Sequence, residues 1–294
     1  MKNFGIIKIA IFILCMSGSY YSLAQDSLYT LGPDSQQHEG VPKGTVTRYS
    51  WQSKLYNNFR DYQVYVPAQY DSTKPAALMI FQDGFAYLKE DGDFRAPVVL
   101  DNLISKKEIP VIIAVFINPG NSSNQYPPNL FSSSGRSDEY DEMSDRYVTF
   151  LIQEIIPVLK KQYNISADPK MHAVAGLSSG GICAFTAAWQ RPDYFQKVLS
   201  AVGSFANIKG GHMYPDIVRK SAKKDIKIFM QDGSNDLDNI HGNWWLGNLQ
   251  LEASLKFKGY EYKFEKGTGT HSTKHAGSIF PESLKWLWAD VLKK

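Results

Sequence analysis

Gly176-Leu177-Ser178-Ser179-Gly180, followed by Gly181, puts a serine between residues small enough for a very tight turn. The apolar run His172-Ala173-Val174-Ala175 precedes it, and Ile182 to Trp189 follows with good helix formers. A serine on such a strand-to-helix turn is held exposed at a helix N-terminus, where backbone N–H groups face developing negative charge. Glycine-x-serine-x-glycine alone arises often by chance, and the strand before and helix after give it weight. Ser178 is therefore the candidate nucleophile. A serine needs a base, and the base an orienting acid. On this kind of turn the chain order runs serine, acid, histidine.

Four histidines lie downstream: His212, His241, His271 and His275. His271 follows the strand pattern Tyr260 to Phe264 and precedes the last helical pattern, where a base belongs; His275 is its competitor. Met230-Gln231-Asp232-Gly233-Ser234-Asn235-Asp236 leaves an apolar strand and turns. Asp236 is the chosen acid, because a Gly-x-x-Asp turn returns its carboxylate to the sheet edge. Asp232 and Asp238 are the alternatives, and the run also reads as a plain solvated turn. An oxyanion needs two N–H donors. One is expected from Ser179, the other from Gly84 or Phe85 in Gln82-Asp83-Gly84-Phe85. Glycine at 84 permits close backbone approach. His271 and His275 share the spacing of two metal ligands on a helix, but lack the glutamate of a metalloprotease. The aspartates do not match a calcium loop. No metal or cofactor is expected. Cys183, inside the helix after Ser178, reads as a small buried apolar residue.

The elements that must position these groups come in two styles. Thr45 to Tyr49 and Tyr62 to Val66 mix polar and apolar residues, as antiparallel strands with a wet face do. Ala77–Phe81, Val111–Phe116, His172–Ala175, Val198–Val202 and Ile226–Met230 are short continuous apolar runs, the pattern of parallel strands covered on both faces. Helical spacing marks Ser144 to Tyr163, with Pro157 a kink, and further helices are expected over Trp244–Phe257 and Phe280–Leu292. The alternation predicts an α/β-hydrolase layout: a mostly parallel central sheet, antiparallel N-terminal strands, and helices on both faces.

The chain has 294 residues, 43% hydrophobic and 21% charged, which suits a globular enzyme and not a disordered or coiled-coil protein. A short basic start, the apolar run Ile9 to Met16 and small residues at Ser22 and Ala24 predict a signal peptide over 1–24. Residues 25–294 then form one domain, exported to the periplasm or the extracellular space, with no membrane attachment after cleavage. Without Lys2 and Lys8 the formal charge falls from +3 to +1, so nucleic acid is not an expected partner. Cys183 alone remains, which forbids an intramolecular disulfide. Oligomeric state is not legible.

Several stretches together resemble a known family. They are Tyr65 to Tyr70, Phe81 to Gly84, Arg136 to Tyr140, Phe150 to Pro157, Gly176 to Gly181, Arg191 to Phe195, Gly203 to Phe205 and Gly269 to His271. The chain resembles the bacterial esterases related to enterochelin (siderophore) esterase and to the feruloyl and acetylxylan esterases of carbohydrate esterase family 1. The resemblance implies a serine carboxylesterase of α/β-hydrolase fold, with Ser178 as nucleophile and His271 as base. The family's Gly-Gly-His falls on Gly269-Thr270-His271, a departure at Thr270. The acid maps least closely, since some siderophore esterases are described with a weak or absent acid.

Arg136 and Glu139 occupy the family's Arg-x-x-Glu. Arg136 either grips a substrate oxygen or pairs with Glu139 in a buried structural contact, and the second reading is preferred because breaking such a pair is costly. His241-Gly242-Asn243-Trp244-Trp245 offers further substrate contacts, with His241 and Trp244 the candidates and at most one tryptophan meeting substrate. The expected function is an exported esterase that removes acetyl or feruloyl groups from polysaccharide. A siderophore trilactone esterase is the rival enzyme. An acyltransferase or a non-catalytic carbohydrate-binding relative are the readings of another class.

Overall fold

The computed structural model describes residues 26–292, so the expected leader lies outside the described residues. One eight-stranded sheet carries the fold, in the spatial order β1-β2-β4-β3-β5-β6-β7-β10. Its strands are β1 (Thr45–Ser53), β2 (Asn58–Val66), β3 (Ala77–Gln82), β4 (Ile112–Ile117), β5 (His172–Leu177), β6 (Lys197–Ala201), β7 (Lys227–Asn235) and β10 (Glu261–Thr270). A two-residue hairpin, β8 (Asp238–Asn239) with β9 (Gly242–Asn243), stands apart. β1 and β2 pair antiparallel, β2 meets β4 antiparallel, and all later neighbours are parallel. The two styles of strand in the sequence match this division. Every residue of β3, β4, β5 and β6 is buried, as strands covered on both faces must be.

The helices, in chain order, are α1 (Phe85–Leu88), α2 (Ala96–Ser105), α3 (Arg136–Tyr140), α4 (Arg146–Phe150), α5 (Ile156–Gln162), α6 (Ser179–Gln190), α7 (Tyr214–Lys220), α8 (Trp244–Phe257), α9 (Lys274–Ser278) and α10 (Phe280–Leu292). One core packs α4 to α8 on one sheet face through Tyr147, Phe150, Phe185, Val218 and Leu251. The other packs α2 and α10 through Val99, Leu103, Phe280, Leu287 and Trp288. Between α4 and α5 the backbone makes a π turn, Leu151–Ile155, closed by Ile156 N–H to the Leu151 carbonyl. Pro157 explains it: the ring lacks an N–H and crowds the carbonyl four residues back, and a wider turn relieves both.

Strand order reverses around β3, whose neighbours are β4 on one side and β5 on the other. In open α/β sheets ligands bind at the carboxyl ends of the strands where this reversal occurs. The loop after β3 and the turn after β5 are the segments the sequence marks for chemistry.

Candidate active site

β5 runs straight into Ser178, whose backbone sits at φ 57°, ψ −122°. A serine pays of order 1–3 kcal/mol to stand there. The neighbours hold it: Ser178 N–H donates to the Ala201 carbonyl, and its own carbonyl accepts from Gly181, Ile182 and Ser204. A side chain at 176 would put its Cβ 2.1 Å from the Gly180 carbonyl oxygen, so the turn needs glycine there. Gly180 in turn packs against Gln82 and Asp83.

β7 ends beside β10, and a Cβ on Gly233 would lie 2.1 Å from the Gly269 oxygen. The register shifts between Gly267 and Thr270, and the strand delivers His271 just past its end. The turn that carries Asp236 is closed by its N–H to the Gly233 carbonyl. The result is a continuous chain of contacts. His271 Nε2 is 2.8 Å from Ser178 Oγ, and His271 Nδ1 is 2.5 Å from Asp236 Oδ1. Asp236 Oδ1 also accepts from the Leu237 N–H. The Asp236 side chain is fully buried, whereas that of His271 keeps 20% of its surface exposed.

Of the other histidines, His275 is buried, stacks on Tyr29 at 4.1 Å and faces Gln231 through Nδ1. Burial pushes its pKa down, favouring the neutral ring. His212 and His241 are exposed, and His241 ties the β8–β9 hairpin to Asn207. Asp238 is exposed in that hairpin; Asp232 is buried beside Asp236.

Three expectations need correction. The Gly84 N–H donates to the Ile117 carbonyl and the Phe85 N–H to Asn118 Oδ1, so neither stands free for an oxyanion. Glycine at 84 answers to β4, since a Cβ would lie 2.2 Å from the Phe116 carbonyl carbon. Ser179 differs: it opens α6, and the capping Ser178 side chain does not take its N–H. Second, Arg136 and Glu139 do not pair. Arg136 grips Asp83 through Nε and Nη2 at 2.9 and 2.7 Å, and Glu139 holds the fully buried Arg60 at 2.7 and 2.8 Å. Third, Trp244 is buried and offers substrate no face. Its ring stands edge-on to His271 and its N–H donates to Ser204 Oγ. Trp245 packs on Phe264 of β10.

Ser204 escaped the reading of the sequence. Its Oγ lies 3.4 Å from Ser178 Oγ and links Ser178 to Trp244. Asp26 was also missed: its carboxylate takes the N–H and Oγ1–H of Thr270, next to His271. Among the described residues no three His, Cys, Asp or Glu side chains gather as a metal site. A cavity of about 390 Å³ between β2 and α2 is lined by Gln63, Leu88, Arg95 and Asp101, and includes none of the three linked groups.

Residues 53–287 match the family model described as "Putative esterase". The chain belongs to this esterase family. It is 22% identical over 244 residues to the uncharacterized protein YbbA of Bacillus subtilis, covering 78% of this chain and 92% of that protein. It is 29% identical over 178 residues to an endo-1,4-beta-xylanase/feruloyl esterase of Xylanibacter ruminicola, covering 60% of this chain and 21% of that one. The fold superposes on the ferric enterobactin esterase of Salmonella typhimurium with a TM-score of 0.73 at 20% identity, covering 90% of this chain and 63% of that one. This esterase thus spans less than two thirds of the enterobactin enzyme and about a fifth of the xylanase.

Proposed function

We propose that this esterase is a serine carboxylic-ester hydrolase working through an acyl-enzyme on Ser178. The observation that carries the reading is the unbroken contact from Ser178 Oγ through the His271 ring to Asp236. His271 Nε2 accepts the Ser178 proton as the oxygen attacks an ester carbonyl. Asp236 holds the ring through Nδ1–H and stabilises the imidazolium that forms. The Ser179 N–H faces the developing oxyanion at the start of α6. The alcohol leaves with the proton from His271, and water then releases the acid by the same steps in reverse.

The substrate proposed is an acetyl or feruloyl ester on polysaccharide, met after export of the chain. Phe85 and Phe131 meet edge to face at 4.6 Å beside the loop after β3, an apolar wall suited to an aryl acyl group. The likeness to a protein named xylanase/feruloyl esterase points the same way. The siderophore reading draws on the enterobactin esterase fold. It finds less support in charge, because the guanidinium of Arg136 is already committed to Asp83.

The test is p-nitrophenyl acetate hydrolysis by residues 25–294 beside Ser178→Ala, His271→Ala and His275→Ala. Ser178→Ala and His271→Ala are expected to lose essentially all turnover, and His275→Ala to keep most of it. Parental rates in Ser178→Ala would overturn the nucleophile, and the reverse order of the histidines would move the base. Feruloylated and acetylated oligosaccharides and a siderophore trilactone then rank the substrates.

A further inference from the structure

The buried acids behind His271 do not balance. Asp236 spends Oδ1 on both His271 Nδ1 and the Leu237 N–H, while its Oδ2 is buried and meets no N–H donor. Asp232 lies within hydrogen-bond reach of it and has no exposed surface. Its Oδ1 accepts from the Gly233 N–H at 2.7 Å, and its Oδ2 faces Asn248 Nδ2 at 2.8 Å. Asn248 Nδ2 also faces the Gly203 and Trp244 carbonyls. Three acceptors therefore compete for two hydrogens. Besides His271, β7, β10 and α8 carry Lys227, Glu261, Lys263, Glu265, Lys266, Glu252 and Lys256, and six of these pair with one another as Lys227–Glu261, Lys263–Glu265 and Lys266–Glu252. The Val202–Phe205 segment brings no charged side chain. Two ionised carboxylates in this pocket would be short of both counter-charge and donors.

We propose that Asp232 is held as the neutral acid and acts as a positioning residue, its hydroxyl donating to Asp236 Oδ2. This rests on the reading of Ser178, His271 and Asp236 as the catalytic set. One proton shared by the pair satisfies the orphaned oxygen and pins the Asp236 carboxylate, so that Oδ1 keeps its aim at the His271 ring. Burial first, then the hydrogen bond with Asp236 and its charge, push the Asp232 carboxyl well above the usual carboxylate range. The donor is thus in place across the neutral range. In alkali it is lost, and a second negative charge appears beside Asp236.

The experiment compares kcat and KM across pH 6–11 for the parent, Asp232→Asn and Asp232→Leu, with Ser178→Ala alongside and spontaneous hydrolysis subtracted. The asparagine amide can donate to Asp236 Oδ2 and accept from Gly233, and it does not titrate. Asp232→Asn is expected to keep kcat within about threefold of the parent at pH 7 and to lose the parent's alkaline fall. Asp232→Leu leaves Oδ2 without a donor, and kcat is expected to drop about 10- to 100-fold with KM little changed. Asp232→Asn as impaired as Asp232→Leu, or an alkaline limb unchanged in Asp232→Asn, overturns the inference. Should Asp232→Leu fail to fold, the paired pH profiles of parent and Asp232→Asn decide. Ser178→Ala separates the two levels: if it is inactive while Asp232→Asn keeps the parent's limb, only the inference falls. If Ser178→Ala stays active, the catalytic set falls as well.

Discussion

On the β2–β3 side of the nucleophile helix, Glu139 and Asp83 each meet an arginine squarely, Arg60 in one case and Arg136 in the other. Arg60 also lies 4.0 Å over the Phe150 ring, and Asn58 and the Gly120 N–H take up the remaining capacity of Glu139. On the β7 side, Asp232 and Asp236 are as deeply buried, yet they face a neutral amide and a histidine. The first cluster is the closed one: Glu139 and Asp83 each hold an arginine, and the buried Asp141 beside them accepts from Ser137. The second is open: its carboxylates face no arginine, only the Asn248 amide and the His271 ring that in turn meets Ser178. The backbone is strained in both, since Ser178 and Val202 stand at φ 57° and 42° beside the open cluster and Asp83 at φ 55° within the closed one. A β-branched residue in that region is under strain.

The sharpest way to break this contrast is to relax the nucleophile's backbone. Ser178→Gly removes the hydroxyl and suits the left-handed φ, so ester hydrolysis should vanish while stability rises by about 1 kcal/mol or more. Chemical denaturation beside the esterase assay checks both. A destabilised Ser178→Gly would mean that the serine is not strained. The frame should answer in the opposite sense. Arg60→Met leaves Glu139 as a buried, uncompensated charge and should cost about 3–5 kcal/mol. Turnover per folded molecule should be nearly kept, since Arg60 touches none of the reacting groups. A melting curve and an active-site titration separate the two quantities. A large loss of kcat in well-folded Arg60→Met would erase the distinction between the clusters.

Much of this was legible because it is local. Continuous apolar runs marked the buried strands, and polar mixing marked the two antiparallel ones. The glycines around Ser178 marked a turn that needs them sterically, and Gly233-x-x-Asp236 marked the acid's turn. What escaped is pairing across the chain. Arg136 lies three residues from Glu139, yet its partner Asp83 is 53 residues away, and the partner of Glu139 is 79 residues away. Periodicity places a residue on a face and says nothing of which distant side chain it meets there. The donors expected after β3 failed for a related reason: whether the Phe85 N–H is free depends on Asn118, a residue from the end of a different strand. Trp244 was read as a platform from its neighbour Trp245, but the helix turns it onto His271.

The smallest expected effect tests the longest of these links. Thr270, the residue before the base, is held by Asp26 across 244 residues of sequence, and Thr268 N–H donates to Tyr29 on the same strap. Burial opposes ionisation of Asp26, but the Thr270 hydroxyl and N–H outweigh it and hold the carboxyl below its usual range. A depressed folded-state value means stability that is present above the ordinary carboxylate pKa and lost as pH falls through the lower one. The strap should therefore stay docked at neutral pH and loosen only in acid. Asp26→Ala removes two hydrogen bonds that reach His271 only through Thr270, so kcat should fall by no more than about tenfold at pH 7, with KM unchanged. Asp26→Asn, which still accepts through one oxygen, should recover part of that loss. As the pH is lowered toward 3, the ratio of the folded parent's rate to that of Asp26→Ala should fall toward one. A parent and Asp26→Ala that match at every pH would show that β10 aims His271 unaided, and that the acids behind the ring are all the positioning it needs.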